Sequence, residues 1–339
     1  MDPNTEEHQT SFQKITPYLL LLLAIIAVSF SAVIVVVLID KGVPPEVTAM
    51  YRTLFAGVGA LILSLYKKKI KWICKRETVN RYHWIFLSGF LLAVHFATWF
   101  ISLDYVNVAI STTIVDTVPI FLAIFGFVFF KEKIKVIGIV GIVIAFSGGV
   151  LLALFSPNSG SPQSNLLLGI MLSLVGALTV TFYFLIGKKI LQDSPLWPYF
   201  ALVNLSSGIV LLIYNLIQRY YILNPEYELF RFQNPGLVFG LLIASALGPS
   251  LVGHATYNYS LRKLPAYVVG VAILGEPIGA TILGVLIFPL FELPNQMPDL
   301  ITILFAVIIL LGIALTSLSQ YIQFNLFKRK NEKTEEEPS

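Results

Sequence analysis

Long apolar runs are the feature that most constrains this chain. A helix needs about 20 residues, at roughly 1.5 Å per residue, to cross a hydrocarbon core of about 30 Å. Ten such runs occur, near residues 17–39, 46–66, 82–103, 108–130, 134–155, 166–187, 196–217, 236–258, 267–288 and 300–322. The sequence therefore predicts an all-α, polytopic membrane protein with ten transmembrane helices. Lipid-facing barrel strands alternate in polarity and are only about 10 residues long, so that class is excluded.

The composition agrees with lipid as the main solvent of this chain. Hydrophobic residues make up 56% of the 339 residues and charged residues 12%, whereas a soluble domain has about 25% charged residues. The mean hydropathy is +0.80. The single cysteine, Cys74, cannot form an internal disulfide, and nothing around it supports a redox or metal role. We expect no metal and no cofactor.

The positions of the lysines and arginines predict the orientation. With the N-terminus inside, 19 of the 23 lie in cytoplasmic segments, three lie in outer loops, and Arg52 lies within a span. Short cytoplasmic loops carry an excess of these residues, so both termini are predicted to be cytoplasmic, with the protein in the cell membrane. The basic charge then faces anionic lipid headgroups, and no nucleic-acid partner is expected.

The two halves of the chain resemble each other. The segment ATWFISL at 97–103 matches ATYNYSL at 255–261, and the same offset aligns Pro119 with Pro277. Five predicted spans precede the polar segment at 156–165, and five follow it. Because five is odd, the second half would enter the membrane upside down, as in the inverted repeats of secondary transporters. The other reading is a duplicated stability module without a transport role.

These features divide the chain into five parts. The predicted parts are a cytoplasmic tail at 1–16, a first five-helix repeat at 17–155, a linker at 156–165, a second five-helix repeat at 166–322 and a cytoplasmic tail at 323–339.

Several local motifs resemble the EamA-type branch of the drug/metabolite transporter superfamily. PPEVTAMYRTLFAGVGAL is similar to the second helix of that branch, VDTVPIFLAIFGFVFFKEKI to the fourth, and ILGEPIGATILGVLIFPLFEL to the ninth. The resemblance covers about residues 17–322 and implies a transporter built from two five-helix repeats. The first helix departs from the family pattern, because Ser29 and Ser31 stand where many members have an aromatic-glycine pair and a lysine.

Three charged residues lie well inside the predicted spans, away from their ends: Arg52, Asp116 and Glu276. A charge at the bilayer centre costs at least about 2.5–3.5 kcal/mol, so it normally faces the bundle interior and has a partner. Arg52 and Asp116 both lie about 9–12 Å from the outer face, so Arg52 either pairs with Asp116 or binds an anionic group. Glu276 lies near the midplane with no evident cation at its depth. It would exchange a proton between the two sides or, on the other reading, cap the helix break at Pro277.

Polar and aromatic residues on several spans extend this set. His95 shares a helical face with Trp99, and Ser250, His254 and Asn258 follow one another at intervals of four. The predicted substrate or coupling-ion residues are Arg52, His95, Trp99, Asp116, Tyr183, Asn204, His254, Tyr257, Asn258 and Glu276. Each histidine is either a hydrogen-bonded interior residue or a proton carrier. Pro119, Pro249 and Pro277 are predicted helix breaks and hinges.

The leading hypothesis is a secondary active exporter of small metabolites, such as amino acids or related amphipathic compounds, working by alternating access. The protein would not be an enzyme, and it would act as a monomer or a homodimer. Its partners would be the solute, the bilayer and, if transport is coupled, protons. A nucleotide-sugar or sugar-phosphate antiporter would need several cations for the phosphates, and the spans offer Arg52 alone. A membrane enzyme would need clustered acid–base or metal-ligating groups. A structural or receptor-like protein predicts no transport and tolerance of Glu276→Gln.

Overall fold

The computed structural model describes residues 11–103, 105–106, 111, 114–155, 165–220, 229–293, 300–301, 303–316 and 318–319. All regular structure within these ranges is helical. The first ten residues of the predicted N-terminal tail, residues 156–164 of the linker and the whole predicted C-terminal tail lie outside them.

Long apolar helices dominate the described structure. They are α1 (Ser11–Asp40), α2 (Pro45–Tyr66), α3 (Tyr82–Ser102), α4 (Val118–Phe130), α5 (Val136–Phe155), α6 (Leu166–Leu191), α7 (Leu196–Tyr220), α8 (Pro235–Ser260), α9 (Ala266–Phe291) and α10 (Ile303–Thr316). Seven of the described helices, α1–α3 and α6–α9, are long and apolar enough to cross a membrane, and α4, α5 and α10 are shorter apolar helices. The chain is therefore a multi-pass membrane protein. That α4, α5 and α10 also cross the membrane, which would make ten spans, stays a prediction.

Local sequence signals explain several helix boundaries. Pro45 and Pro235 occupy the first turns of α2 and α8. The N–H groups of a first turn have no acceptor within the helix, so a proline that lacks its N–H costs no hydrogen bond there. The side chain of Asn165 caps α6 by accepting the N–H of Leu168 at 3.1 Å. Lys131 ends α4 in the left-handed conformation, with φ at 55°. These local residues account for the unpaired N–H and C=O groups at the helix ends without tertiary contacts.

Helices α2 and α7 cross at reciprocal glycines. A Cβ atom on Gly57 of α2 would lie 2.7 Å from Leu205 Cγ, and one on Gly208 of α7 would lie 2.5 Å from Leu54 Cδ2. Each glycine therefore admits the leucine of the other helix, as small residues do at membrane helix interfaces. Because the residue numbers rise along α2 as they fall along α7, the two helices run antiparallel.

Helices α4 and α9 also pack antiparallel through glycines. A Cβ atom on Gly126 would lie 3.6 Å from Ala266 Cβ, and one on Gly270 would lie 2.9 Å from Pro119 Cα. The contact therefore begins where the end of α4 meets the start of α9, and it continues to the first turn of α4, which meets Gly270 of α9.

The same arrangement joins α5 and α10. Gly141 of α5 faces Thr316, and a Cβ atom on Gly148 would lie 2.9 Å from the Ile309 side chain. In all three pairs, a helix of the first half packs antiparallel against the helix five places further along the chain.

The first helix of each half packs on the third helix of the other half. Helix α1 packs along α8, where Gly253 faces Val28, and α6 packs along α3, where Gly176 faces Trp99. Helix α1 also approaches α9 closely, with Gly279 facing Ser29. These contacts place α1, α3, α6, α8 and α9 around the middle of the molecule.

The predicted proline breaks coincide with irregular backbone. A turn at 116–117 precedes α4, whose first turn holds Pro119. Helix α9 is interrupted at 274–275, and its second segment starts at Glu276 and Pro277. Pro249 lies in a π-helical segment of α8, Ala246–His254. Proline lacks the N–H that a regular helix needs, which accounts for these interruptions. That the breaks act as hinges stays a prediction.

Four basic connections, one of them including the last turn of α6, meet at one end of the molecule, which we call the lysine-rich end: residues 67–81, 131–135, 188–195 and 261–265. Arg81 donates two hydrogen bonds to the carboxylate of Asp193, at 2.6 and 2.9 Å, which ties the first connection to the third. These bonds from Arg81, with a further one from Ser194, lower the pKa of Asp193 to about 2.

We expect Asp193→Asn to lower stability by less than about 1 kcal/mol, because both side chains are largely exposed, at 38% and 61%. A carboxylate whose pKa is lowered in the folded state stabilises that state above its unfolded pKa, and the contribution is lost only as the pH falls towards 2. The difference between wild type and variant, measured by thermal unfolding in detergent, should therefore stay constant between about pH 5 and pH 8. A cost that grows within this range would contradict the assignment.

Candidate functional site

A cavity lies among α1, α3, α6, α8, α9, the start of α4 and the residues that precede it. The cavity offers waters a volume of about 50 Å³. One water needs roughly 10–15 Å³ of such volume. Six of the ten predicted site residues line it: His95, Trp99, Asp116, His254, Tyr257 and Glu276. The cavity thus joins residues from both halves of the chain, with room for a few waters.

Glu276 lies at the helix break of α9 and is the first residue of its second segment. The hydroxyl of Tyr257 donates to Glu276 Oε1 at 3.1 Å, and Ser29 donates to the Glu276 backbone carbonyl at 3.3 Å. A carboxylate at this position is favoured by the positive end of the helix dipole. Glu276 has no ion-pair partner among the described residues, so its charge is held by one hydroxyl and the helix terminus.

Arg52 is fully buried beside the cavity and is held by three other helices. Its Nε donates to Ser250 Oγ at 2.9 Å and its Nη1 donates to Ser31 Oγ. The guanidinium carbon lies 4.5 Å from the centre of the Phe96 ring, a cation–π contact. Arg52 is thereby fixed in place by neutral groups.

The surroundings of Arg52 differ from the sequence-based expectation. No ion pair between Arg52 and Asp116 forms in the described structure, where Arg52 bonds serine hydroxyls instead. The sequence placed no cation at the depth of Glu276, but Arg52 lies close enough to interact with it electrostatically. The depth of each residue along its own helix could not show that Arg52 and Glu276 are close, because the distance between them depends on how α2 and α9 are packed.

Asp116 brings a second carboxylate to the cavity wall. Its side chain is buried, its Oδ2 has no hydrogen-bond partner among the described residues, and it interacts electrostatically with Glu276. Two carboxylates and one guanidinium therefore share one buried region. If both carboxylates are ionised, the group carries a net negative charge, which one bound proton or one cationic ligand would neutralise.

Aromatic rings cover the apolar walls. The rings of His95 and Trp99 stack with centres 5.7 Å apart and planes at 26°, and those of His254 and Phe184 stack at 6.2 Å and 18°. Tyr257 meets Phe184 edge to face at 6.3 Å. Such rings present flat apolar faces and hydrogen-bonding edges to the same space.

The hydrogen bonds of the two histidines differ. His95 Nδ1 lies 2.9 Å from the carbonyl of Gly176, which can only accept, so Nδ1 carries a proton. In the neutral ring, Nε2 of His95 is then an acceptor. His254 Nδ1 is buried and has no partner among the described residues. His95 is therefore hydrogen-bonded within the interior, and its role as a proton carrier stays a prediction.

Several buried polar atoms in this region have no protein partner within the described part of the chain. They are Arg52 Nη2, Trp99 Nε1, Asp116 Oδ2, His254 Nδ1 and Asn258 Oδ1. Buried polar groups in proteins are nearly always hydrogen-bonded, so each exception calls for a reason. Three of these five atoms belong to cavity-lining residues. A cavity with both donors and acceptors can bond the polar groups of a solute or of water.

The remaining predicted residues do not line the cavity. Asn258 donates to the hydroxyl of Tyr183 at 2.6 Å, so the two bond each other behind the wall. Asn204 donates to the carbonyl of Phe200 within its own helix, at 2.9 Å. Asn204 is therefore satisfied locally, as a polar side chain in a membrane helix commonly is.

Some residues of the site were not predicted. Ser250 was noted on the helical face of His254 and Asn258 but was not included among the predicted site residues. Ser31 was noticed only as a departure from a family pattern. No signal distinguishes Phe184 from the other 24 phenylalanines, because its selection depends on the packing of α6 against α8.

Comparison with known proteins agrees with this architecture. A model of the EamA-like transporter family matches residues 15–154 and again residues 167–318. The chain is 31% identical over 169 residues to the uncharacterized transporter YxxF of Bacillus subtilis (strain 168), an alignment that covers 49% of this chain and 51% of the relative. It is 26% identical over 145 residues to an uncharacterized transporter of Archaeoglobus fulgidus, covering 42% of this chain and 46% of the relative.

The aligned region thus spans about half the length of the curated relatives that the chain matches. A solved crystal structure of another protein superposes with a TM-score of 0.70 over 91% of this chain and 98% of that one, at 16% identity. At this identity the likeness concerns the fold alone.

Proposed function

The chain belongs to the EamA-like transporter family, and from this premise we propose that it is a secondary active transporter of small metabolites. It alternates between openings on the two sides of the membrane by rearranging two inverted five-helix halves. The observation that carries the proposal is Glu276, a partly buried carboxylate without an ion-pair partner among the described residues, placed at a helix break on a cavity. Buried charges at broken helices are typical of transport sites.

The helix packing supports inverted halves. Helices α2 and α7, α4 and α9, and α5 and α10 each pack antiparallel, and they are equivalent under the repeat. Two similar halves of opposite orientation can exchange conformations, which gives outward and inward openings of similar energy. A duplicated module that serves stability alone would not need charged residues at the interface of its halves.

The cavity chemistry supports small amphipathic solutes. Asp116 and Glu276 would attract an ammonium group, and the aromatic rings would cover an apolar part. The N–H of Trp99, which has no partner among the described residues, would bond an acceptor. Amino acids and related organic compounds combine these features. Because the cavity has room for only a few waters, such solutes require it to widen, and alternating access provides this.

Coupling to protons is part of the proposal. Glu276 would hold a proton in one conformation and release it in the other, so that solute and proton occupy the carboxylate region in turn. Export follows if protons enter as the solute leaves.

A nucleotide-sugar or sugar-phosphate antiporter fits less well. Arg52 is the one lysine or arginine well inside the predicted spans, and it is engaged by Ser31 and Ser250. Two carboxylates nearby would also repel a phosphate. We also propose that the protein lies in the cell membrane with both termini in the cytoplasm, because the four basic connections meet at one end of the helices.

The test is reconstitution into liposomes that contain a pH-sensitive dye. Addition of a metabolite mixture to one side should provoke proton flux beyond that of protein-free vesicles, and subfractions of the mixture would then identify the solute. If no mixture provokes proton flux or solute exchange, the proposed function is wrong.

A further inference from the structure

A buried ion pair lies at the lysine-rich end, apart from the cavity. Lys188 Nζ is 2.7 Å from Glu132 Oε1, and the two side chains are only 10% and 11% exposed. The Arg81–Asp193 pair at the same end is largely exposed. Partial burial matters, because a charge that loses a buried partner is left with neither the partner nor full solvation.

Each member of this pair also bonds the backbone at the start of α9. Glu132 Oε2 accepts the N–H of Ala266 at 2.8 Å, and Lys188 Nζ donates to the carbonyl of Leu264 at 2.8 Å. Glu132 follows α4 in the first half, whereas Lys188 and the start of α9 belong to the second half. Glu132 therefore joins the first half to the second at two points, Lys188 and Ala266, and the bond from Lys188 to Leu264 fixes the lysine within the second half.

Between this pair and the cavity, α4 and the first segment of α9 are in contact. That contact runs from Gly126 and Ala266 to Pro119 and Gly270. Val118 of α4 and Ile273 of α9 lie at the inner limit of the contact and line the cavity. The cavity is thus separated from the lysine-rich end by the packing of two interrupted helices, which Glu132 and Lys188 hold together.

The opposite end has a counterpart that is not engaged. Glu292 follows α9 in the left-handed conformation, with φ at 61°, much as Lys131 follows α4 with φ at 55°. Glu292 is exposed and forms no ion pair within the described ranges. The two ends of the pseudo-symmetric pair α4 and α9 therefore differ in charge pairing.

We propose that Glu132 and Lys188 form a latch that keeps the cavity closed towards the lysine-rich end. The latch rests on the proposed function, since it is one of the two closures that alternating access requires. When the halves separate there, water solvates both charges, so the pair favours the closed state without preventing opening. Loss of either charge shifts the population towards the state open at this end.

The test is the accessibility of the cavity to a membrane-impermeant maleimide. Cys74 is replaced by serine to remove the one native cysteine, and Val118→Cys introduces a thiol at the inner limit of the α4–α9 contact. In this background we compare the labelling rate from the lysine-rich side, in oriented vesicles, with and without Glu132→Gln or Lys188→Met. We expect labelling about tenfold faster or more in both variants.

Matched variants show whether the effect is specific. Glu292→Gln removes the same charge from the counterpart helix, and Arg81→Gln breaks the exposed pair at the same end; neither should change labelling. Lys188→Arg keeps the cation and should keep labelling slow. Glu132→Gln retains an oxygen that can accept from Ala266, which favours folding, and thermal unfolding of each variant in detergent checks this.

The outcomes separate the latch from transport. Faster labelling in both charge-removing variants supports the latch whether or not any solute provokes flux, and absence of flux in the unmodified protein refutes the proposed function alone. If solute-driven flux is observed but both variants label at the rate of the background, the latch is wrong.

Discussion

Glu276→Gln eliminates metabolite-driven proton flux while leaving the protein folded. Glutamine has nearly the same size, and its amide oxygen can accept the hydrogen bond that Tyr257 donates at 3.1 Å, so the local packing is retained. It cannot bind and release a proton. We expect coupled flux to fall by about 100-fold or more, as when a proton-transferring side chain is removed. The measurement is dye-reported proton flux in liposomes.

Solute exchange without a pH gradient provides a second readout. If Glu276 serves coupling, the variant should still exchange labelled solute for unlabelled solute, because Asp116 and the cavity walls remain. The solute concentration needed should be higher, because one of the two carboxylates that attract the ammonium group is lost. Glu292→Gln removes a carboxylate from the exposed end of the same helix and should leave coupled flux unchanged. Coupled flux at wild-type level in Glu276→Gln would refute proton coupling through this residue.

Gly57→Val and Gly208→Val each cause a large loss of stability. A Cβ atom at Gly57 would lie 2.7 Å from Leu205 Cγ and 2.9 Å from Leu205 backbone nitrogen, and one at Gly208 would lie 2.5 Å from Leu54 Cδ2. Because backbone is involved, a change of rotamer cannot relieve the overlap. Overpacking of this kind costs about 1–3 kcal/mol or more, measured by thermal or denaturant unfolding in detergent.

The chain offers a matched control and a rescue. Gly240→Val introduces the same side chain in α8, where nothing lies within 4 Å, and should be nearly neutral. Leu205→Ala combined with Gly57→Val should recover part of the loss, because it removes the side-chain overlap but leaves the backbone contact. Equal stability of Gly57→Val, Gly208→Val and Gly240→Val would contradict the close crossing of α2 and α7.

The helices were largely predictable, because hydrophobic length is a property of consecutive residues. Helix α2 was expected at 46–66 and occurs at Pro45–Tyr66, and α3 was expected at 82–103 and occurs at Tyr82–Ser102. The interruption of α9 was indicated by Pro277, since the missing N–H disrupts a helix in any surroundings. The repeat was predictable too, because its two copies retain ATWFISL and ATYNYSL at a fixed offset.

The site was predictable only in part. His95, Trp99 and His254 were selected by helical spacing, and all three line the cavity. Asn204 was selected only as a polar residue within a span, and it bonds its own helix instead. A polar residue in a membrane helix can satisfy itself locally or face a neighbour, and spacing along one helix does not distinguish the two.

By itself, the sequence determined that this chain is an apolar, helical membrane protein with two related halves, because length, hydropathy and internal likeness are read from consecutive residues. Only the tertiary structure decided which charges meet. Arg52 is held by Ser31 and Ser250 rather than by Asp116, and Glu132 pairs with Lys188 across 56 positions of the chain. The physical reason is that Coulomb and hydrogen-bond energies depend on distances of a few ångströms between helices, which the order of residues along any one helix does not specify.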